Sequence, residues 1–140
     1  MRLVLDTNVV IAGLLWDGPP HRLLECAIDA AVTLYSSPAL VDELAHALTY
    51  AKFNRRIAQG STTSDALVLQ YSAMATLLSP LSVARVIAND PDDDHVLACA
   101  LAAQADLIVS GDEKHFRPLG GQYQGIPILS PALALQQIAR

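Results

Sequence analysis

Four acidic residues occupy positions where a carboxylate could take part in chemistry: Asp6, Glu43, Asp94 and Asp112. Asp6 directly follows an apolar run, and Asp112 follows another after two residues. Glu43 and Asp94 instead border apolar stripes at helical spacing, since Leu40 precedes Glu43 by three residues and Leu97 follows Asp94 by three. Four carboxylates directed at one place would repel one another unless a cation lay between them. The pattern therefore predicts a site for a hard divalent cation with oxygen ligands, Mg²⁺ or Mn²⁺.

Each acid also has a purely structural interpretation. Asp6 could cap the helix that follows it, and the acids at 92–94 could oppose a helix dipole at its amino terminus. Glu43 could be a solvated helix residue, and Asp112 could belong to a turn or a cap. The joint pattern, with two acids at strand ends and two on core stripes, favours the metal site.

An alternation of strands and helices must position these acids. Short apolar runs predict strands at Leu3–Leu5, Val32–Tyr35, Ser82–Val86, Leu107–Val109 and Ile126–Leu129. Helical spacing and caps predict helices at Asn8–Leu15, His21–Ala31, Pro38 until the break at Gly60, Ser64–Leu78, Asp93–Ala105 and Pro131–Ile138. This alternation predicts one α/β domain over residues 1–140, a three-layer α/β/α sandwich around a central, mainly parallel sheet of about five strands. Ligands of such sheets bind outside the carboxyl ends of the strands, where Asp6 and Asp112 are expected.

The composition narrows the class of protein. Of the 140 residues 52% are hydrophobic and 16% are charged, which excludes a disordered chain. No apolar run reaches the ~18 residues of a membrane span, and Asp6 interrupts any signal-peptide core, so we expect a cytoplasmic protein without membrane contact. Cys26 and Cys99 lie in apolar helical contexts and are predicted to be free thiols.

The net charge of −5 argues against a protein that binds nucleic acid through bulk positive charge alone. Four of the fourteen acidic residues belong to the predicted metal site. Two divalent cations bound there would offset most of the negative charge, so the composition is compatible with a nucleic-acid substrate once metal is bound.

Four segments resemble the PIN-domain family, most closely its small prokaryotic VapC-like toxins. They are Val4–Val10, Leu40–Leu44, Asp90–Ala100, and Ile108–Asp112 with Phe116 beyond it. The resemblance covers nearly the whole chain and implies a PIN-like fold and a metal-dependent nuclease that hydrolyses RNA phosphodiester bonds. It assigns catalysis and the binding of Mg²⁺ or Mn²⁺ to Asp6, Glu43, Asp94 and Asp112. It also implies the toxin component of a toxin–antitoxin pair, with an RNA substrate, a cognate antitoxin and a second copy in a homodimer as partners.

The third acid of the resemblance falls within a run of acids. Asp94 fits best because Leu97 and Ala98 follow it at the third and fourth positions, as in the family. Asp92 or Asp93 could share the metal role. The sequence leaves this alternative open.

Several further side chains are candidates for positioning the substrate. The neutral ones are Thr7, Asn8 and Ser110, which could hold ligands or a phosphate, or could serve only in turns and caps. The cationic ones are Lys52, Arg55 and Arg56, with Phe53 between them, and Lys114 and Arg117 farther along. Cations and aromatic rings contact phosphates and stack on single-stranded bases, although cations also favour the carboxyl end of a helix. His95 is expected at the surface, and Trp16 in the core or on a partner surface.

Other classes of protein fit the sequence less well. A haloacid-type hydrolase needs a second Asp two residues after its nucleophile, but Thr7-Asn8 follows Asp6. A solitary RNA-processing PIN nuclease and a catalytically silent PIN-like binding module remain alternatives to a toxin. One apolar helix face is predicted to belong to the core, or otherwise to a dimer interface: Leu67, Val68, Tyr71, Met74, Ala75 and Leu78.

Overall fold

The helices of the protein lie mostly where helical spacing predicts them. A computed structural model describes residues 1–82, 91–111 and 119–139, and only the backbone of residues 91 and 92. The helices in these ranges are α1 (Thr7–Leu15), α2 (Pro19–Ile28), α3 (Pro38–Ala47), α4 (Ala51–Gln59), α5 (Ser64–Met74), α6 (Pro91–Ala103) and α7 (Pro131–Ile138). Ser37 and Ser130 cap α3 and α7 as predicted, because each hydroxyl accepts a hydrogen bond from a backbone N–H of the first turn.

The described residues form one six-stranded sheet. Its strands are β1 (Arg2–Leu5), β2 (Thr33–Ser36), β3 (Ala75–Leu77), β4 (Leu107–Val109), β5 (Gln122–Tyr123) and β6 (Ile126–Leu129). Their order across the sheet is β3-β2-β1-β4-β6-β5, and every pairing is parallel except that of β5 with β6. The predicted mainly parallel sheet is confirmed, with six strands instead of about five because the short antiparallel β5 gives little sequence signal.

Both faces of the sheet are covered, which confirms the three-layer architecture. Leu3 and Leu5 pack into one hydrophobic cluster with the helices α1, α2, α3, α4, α5 and α7. Val4 points to the opposite face and packs against α6, together with Ile108 of β4. This division follows from the alternation of side chains along a strand. The predicted acidic site, at the carboxyl ends of these strands, therefore lies on a sheet whose central strands are packed by helices on both faces.

Helices α1 and α2 approach each other closely at Gly13. A Cβ atom at Gly13 would lie 2.9 Å from Leu24 Cδ1 and 2.9 Å from the carbonyl oxygen of Pro20. Both distances are shorter than ordinary van der Waals contact, so the absence of a side chain permits this crossing. Gly13 thereby fixes α1, which begins just after Asp6.

The single helix predicted from Pro38 to the break at Gly60 is wrong, because α3 and α4 are separate helices. Thr49 Oγ1 donates a hydrogen bond of 2.6 Å to the carbonyl oxygen of His46, satisfying one of the acceptors at the end of α3. Tyr50 then has an extended backbone and precedes the first turn of α4. A polar side chain that bonds to the backbone thus interrupts an otherwise continuous helical pattern.

The helix predicted over Ser64–Leu78 also ends early, because its last residues form β3. The backbone of Ala75 is extended and pairs with Leu34 of β2. In the described part of the chain the third strand is therefore Ala75–Leu77, and not the strand predicted at Ser82–Val86. Ser82 lies outside the strands of the structure, and 83–86 lie outside the described residues.

The apolar face predicted at 67–78 belongs to the core except for Leu78, which lies beyond β3, is half-buried and does not pack in the same cluster. Leu67 and Tyr71 are buried, and Val68, Met74 and Ala75 pack against the same cluster. In the parts of the chain that the structure describes, no helix is both long and apolar enough to cross a membrane.

The two cysteines are free thiols, as predicted. Cys99 is buried in α6, and burial raises the pKa of its thiol to about 12. The thiol therefore remains protonated at neutral pH and behaves as a small apolar side chain.

Candidate active site

Three neighbouring strands end at the same edge of the sheet and place polar side chains there. Asp6 follows β1, Ser110 follows β4, and Ser36 is the last residue of β2. The register pairs Leu5 of β1 with Val109 of β4, so Asp6 and Ser110 are adjacent. All three polar residues are buried, with Asp6 only 5% exposed. A buried carboxylate therefore lies at the carboxyl edge of the central strand, where ligands of parallel sheets bind.

Ser110 holds the Asp6 carboxylate in place. The Ser110 hydroxyl donates a hydrogen bond of 2.9 Å to Asp6 Oδ2, and Asp6 N donates one of 2.9 Å to the carbonyl oxygen of Val109. Asp6 stands at the cap position of α1, but its side chain makes no capping hydrogen bond to the first turn of α1, which the structure describes in full. The purely structural interpretation of Asp6 as a cap therefore does not account for its carboxylate.

Helix α6 brings two more acids to this edge. Its carboxyl end lies beside the start of β1, where Arg2 Nη1 donates a hydrogen bond of 2.9 Å to the carbonyl oxygen of Ala103. A helix rises about 1.5 Å and a strand about 3.3 Å per residue, so Asp94 and Asp6 are each about 13 Å from that contact. Since α6 also packs on β1 and β4, these lengths put its first turn, with Asp94, toward the edge of the sheet at which Asp6 follows β1.

Burial does not separate Asp94 from its neighbour Asp93. Asp94 is 1% exposed and Asp93 is 5% exposed, at the first turn of α6. Acids that only oppose a helix dipole are normally solvated, whereas burying a carboxylate costs several kcal/mol unless it is compensated. Sequence reasoning favoured Asp94 and left Asp93 as an alternative, and the buried positions keep both as candidates. The side chain of Asp92 lies outside the described part of the chain.

Glu43 lies on α3 on the side that faces α6. One turn earlier on the same helix, Leu40 packs into the cluster that contains Val96 and Leu97 of α6. Glu43 itself is half-buried. The solvated position considered from sequence is thus only partly correct, since the Glu43 side chain borders the packed interface between α3 and α6.

The donor chemistry of these side chains fits a hard divalent cation. Aspartate, glutamate and serine provide the oxygen ligands that Mg²⁺ and Mn²⁺ prefer. Within the ranges 1–82, 91–111 and 119–139, no three His, Cys, Asp or Glu side chains form a group that could hold a metal. Asp112, the fourth predicted acid, lies outside the described residues. In the sequence it comes two residues after Ser110.

The other predicted site residues fall into two groups. Thr7 is buried at the start of α1, whereas Asn8 is exposed there, and His95 is half-buried in α6. By contrast, Arg56 contacts the far end of α1, where its Nε donates a hydrogen bond of 2.6 Å to the carbonyl oxygen of Leu15. Leu15 is nine residues after Asp6, so this contact lies about 14 Å from Asp6 along the helix. Arg56 is therefore separate from Asp6, Lys52 and Arg55 lie exposed on the same helix, and Lys114 and Arg117 lie outside the described residues.

Sequence reasoning missed the burial of Ser36. Ser36 ends β2 and is 3% exposed, and its carbonyl oxygen accepts a hydrogen bond of 2.9 Å from Leu78 N. A serine at the end of the predicted strand Val32–Tyr35 was a weak signal, because serine is also common in turns.

Comparison with known proteins gives three findings. A family model described as PIN domain matches residues 2–114. No curated protein matches the chain. Among solved structures, the chain resembles the crystal structure of VapBC2 from Rickettsia felis bound to a DNA fragment from their promoter, with a TM-score of 0.61 and 14% sequence identity, over 91% of this chain and 97% of that one. At this identity the structural likeness concerns the fold.

Proposed function

The chain belongs to the PIN-domain family, and from this premise we propose that it is a metal-dependent endoribonuclease that hydrolyses RNA phosphodiester bonds. We further propose that Asp6, Glu43, Asp94 and Asp112 hold one or two Mg²⁺ or Mn²⁺ ions. The observation that carries the proposal is the buried Asp6 carboxylate, bonded to Ser110 at the carboxyl edge of the central strand, together with Asp94 buried in the first turn of α6, which packs on that strand. Two buried acids at one sheet edge are stabilised by a cation between them.

The proposed chemistry divides between the metal and the chain. A bound divalent ion lowers the pKa of a coordinated water and neutralises charge on the phosphoryl oxygens. Asp6 would be the central ligand, its carboxylate oriented by the hydrogen bond from Ser110. Asp94 and Asp112 would complete the set of ligands, while Glu43 would ligate the ion or orient the attacking water. Thr7, Asn8 and Ser110 offer hydroxyl and amide groups for holding the phosphate of the substrate.

RNA cleavage with defined divalent ions tests this proposal. Purified protein is incubated with single-stranded and structured RNA in EDTA, in Mg²⁺ and in Mn²⁺, beside the variant Asp6→Asn. Asparagine keeps the shape of the side chain and an oxygen that can accept the Ser110 hydrogen bond, so the fold should survive. We expect cleavage only with metal, and a loss of roughly a thousandfold in Asp6→Asn, because a metal contributes several kcal/mol to such a transition state.

Two outcomes would contradict the proposal. Cleavage that survives both EDTA and Asp6→Asn would exclude the metal mechanism. Absence of cleavage of every RNA, together with absence of Mn²⁺ binding in calorimetry, would favour a catalytically silent PIN-like binding module.

We also propose that the protein is the cytoplasmic toxin component of a toxin–antitoxin pair and forms a homodimer. The support for the antitoxin partner is the fold likeness to VapBC2 from Rickettsia felis, which was crystallised bound to a DNA fragment from their promoter. A short reading frame beside the gene, whose product relieves growth arrest caused by this chain, would support the toxin. Its absence would favour a solitary RNA-processing nuclease, and a concentration-independent monomer in sedimentation would contradict the dimer.

A further inference from the structure

The carboxyl end of α1 carries an exposed aromatic residue surrounded by cations. Trp16 follows α1 and is 43% exposed, an unusual exposure for the largest apolar side chain. The ring of Phe53 from α4 meets it edge to face, with a centroid distance of 6.3 Å. The Arg56 guanidinium lies over the Trp16 ring at 5.7 Å, and Lys52 Nζ lies over the Phe53 ring at 5.1 Å. We call Trp16, Phe53, Lys52 and Arg56 the aromatic–cation platform.

The platform is the most positively charged element among the described residues. Helix α4 has nine residues, and three of them are cations while none is an acid. The whole chain has only nine Lys and Arg residues and a net charge of −5. Arg55 adds an exposed third cation on the same helix, and Asp17, next to Trp16, is the nearest acid in sequence. Such a concentration of positive charge in an acidic protein favours an anionic ligand.

Packing explains only the inner side of α4. Ile57 is buried in the core, and Phe53 packs partly against it. Arg56 uses one of its five N–H donors on the Leu15 carbonyl oxygen, which ties α4 to the end of α1. Lys52 and Arg55 remain exposed to solvent. Anchoring α4 to the fold therefore does not require their charges.

A cavity of about 360 Å³ borders the platform at Arg56. Its polar lining includes Gln59, Thr62 and Gln70, and its apolar lining includes Leu15. This volume falls in the range of clefts that bind small planar groups. Amide and hydroxyl side chains can donate and accept hydrogen bonds at the edge of a base.

From these observations we propose that the aromatic–cation platform, together with the neighbouring Arg55, binds single-stranded RNA. A base stacks on Trp16 and Arg56, and Lys52 and Arg55 contact phosphates. Aromatic rings and guanidinium planes stack on unpaired bases, and cations beside them follow the backbone. The platform lies about 15 Å from Asp6 along α1, a span of several nucleotides because stacked nucleotides advance about 3.4 Å each. The platform would thus hold a part of the RNA remote from the acids. This part of the inference rests on the proposed nuclease function.

The single tryptophan of the chain makes this proposal directly measurable. Asp6→Asn protein in EDTA is titrated at low salt with a 5′-labelled twelve-nucleotide oligouridine, recording tryptophan fluorescence and RNA anisotropy together. We expect saturable quenching with the same Kd as the anisotropy change. Arg55→Gln should weaken binding about three- to tenfold and reduce the slope of log K against log salt by about 0.7, as for one lost phosphate contact to a single strand.

Matched variants separate stacking from charge and from folding. Arg22→Gln removes an exposed cation from α2 and should leave the affinity unchanged. Trp16→Leu should weaken the anisotropy-detected affinity about tenfold or more, and Trp16→Tyr, which keeps a stacking ring, should recover most of it.

Several results would overturn the platform. An anisotropy change without tryptophan quenching, or the absence of any RNA binding, would contradict it. So would equal losses of RNA affinity in Arg55→Gln and Arg22→Gln. Quenching by oligoglutamate as strong as that by RNA would instead indicate a surface for an acidic protein. Because the readout is binding without cleavage, the two proposals fail separately. Metal-dependent cleavage without tryptophan quenching would support the proposed nuclease activity and contradict RNA binding by the platform. Quenching without cleavage would support RNA binding by the platform and contradict the nuclease activity.

Discussion

The two ends of helix α1 differ in burial and in charge. At its amino end, Asp6 is buried and accepts a hydrogen bond from Ser110. At its carboxyl end, Trp16 is exposed under the Arg56 guanidinium. A buried carboxylate costs several kcal/mol unless a partner compensates it, whereas an exposed cation costs little and contributes little to stability. The buried end is therefore suited to fixed geometry, and the exposed end to contacts that adapt to a flexible strand.

The difference has a consequence for kinetics. Groups in fixed positions around a reacting atom change kcat, because they act on the transition state. Groups that hold a remote part of the substrate act mainly on its binding. Variants at the two ends of α1 should therefore separate into effects on rate and effects on affinity.

The largest effect is expected at Asp94. Asp94→Asn should lower kcat roughly a thousandfold by removing a metal ligand, while RNA affinity measured in EDTA stays the same or rises as a negative charge is lost. Asp93→Asn is the matched control one residue away, and a smaller loss there would assign the ligand to Asp94. A larger loss in Asp93→Asn would reverse that assignment. Single-turnover cleavage of one labelled RNA measures both variants.

A smaller loss is expected when the support of Asp6 is removed. Ser110→Ala deletes the 2.9 Å hydrogen bond to Asp6 Oδ2 and should reduce kcat about 10- to 100-fold, as for other groups that orient metal ligands. Stability should fall by about 1 kcal/mol, measured by urea unfolding. Ser130→Ala removes the cap of α7 and should have a similar cost in stability with unchanged cleavage. Equal activity of the two variants would show that Ser110 has only a structural role.

Gly13 lies within α1, between its two ends, and a side chain at this position should disturb the packing of α1 on α2. Gly13→Ala should destabilise the protein by about 1–3 kcal/mol, because the added Cβ meets the Pro20 carbonyl oxygen and Leu24 at 2.9 Å. Gly60→Ala is the control, since its nearest neighbour would be 3.5 Å away, and we expect a change within about 0.5 kcal/mol. Urea unfolding followed by circular dichroism measures both. Equal stability of the two variants would contradict the close crossing of α1 and α2.

The smallest effect is expected at the exposed end. The double variant Lys52→Gln/Arg55→Gln should raise KM for a long RNA about tenfold at low salt, with kcat unchanged, because it removes two phosphate contacts. A trinucleotide bound at the acids would not reach the platform, and its cleavage should be unaffected. A fall in kcat for the trinucleotide would mean that Lys52 and Arg55 contribute to the cleavage step at the acidic site. The two ends of α1 would then not differ in their effects on rate and affinity.

The elements around the acids were predictable because their signals are local. The run Leu3-Val4-Leu5 reads as a buried strand, and the caps at Ser37 and Ser130 mark helix starts that the structure confirms. The elements that failed depend on distant partners or on single side chains. Ala75–Leu77 continues a helical pattern in sequence, but pairing with β2 makes it a strand. Thr49 ends α3 through one hydrogen bond that no periodicity reveals.

The candidate site divides in the same way. The sequence by itself determined the class of fold, the family resemblance and the acids at the strand ends, because residue type and spacing carry that information. Only the tertiary structure decided that Asp93 and Asp94 are both buried, that Ser110 bonds to Asp6, and that Arg56 of α4 contacts α1 about 14 Å along the helix from Asp6. These properties depend on the register of β1 with β4 and on the length and direction of α1 and α6. They arise from distances between segments far apart in the chain, which residue spacing alone does not specify.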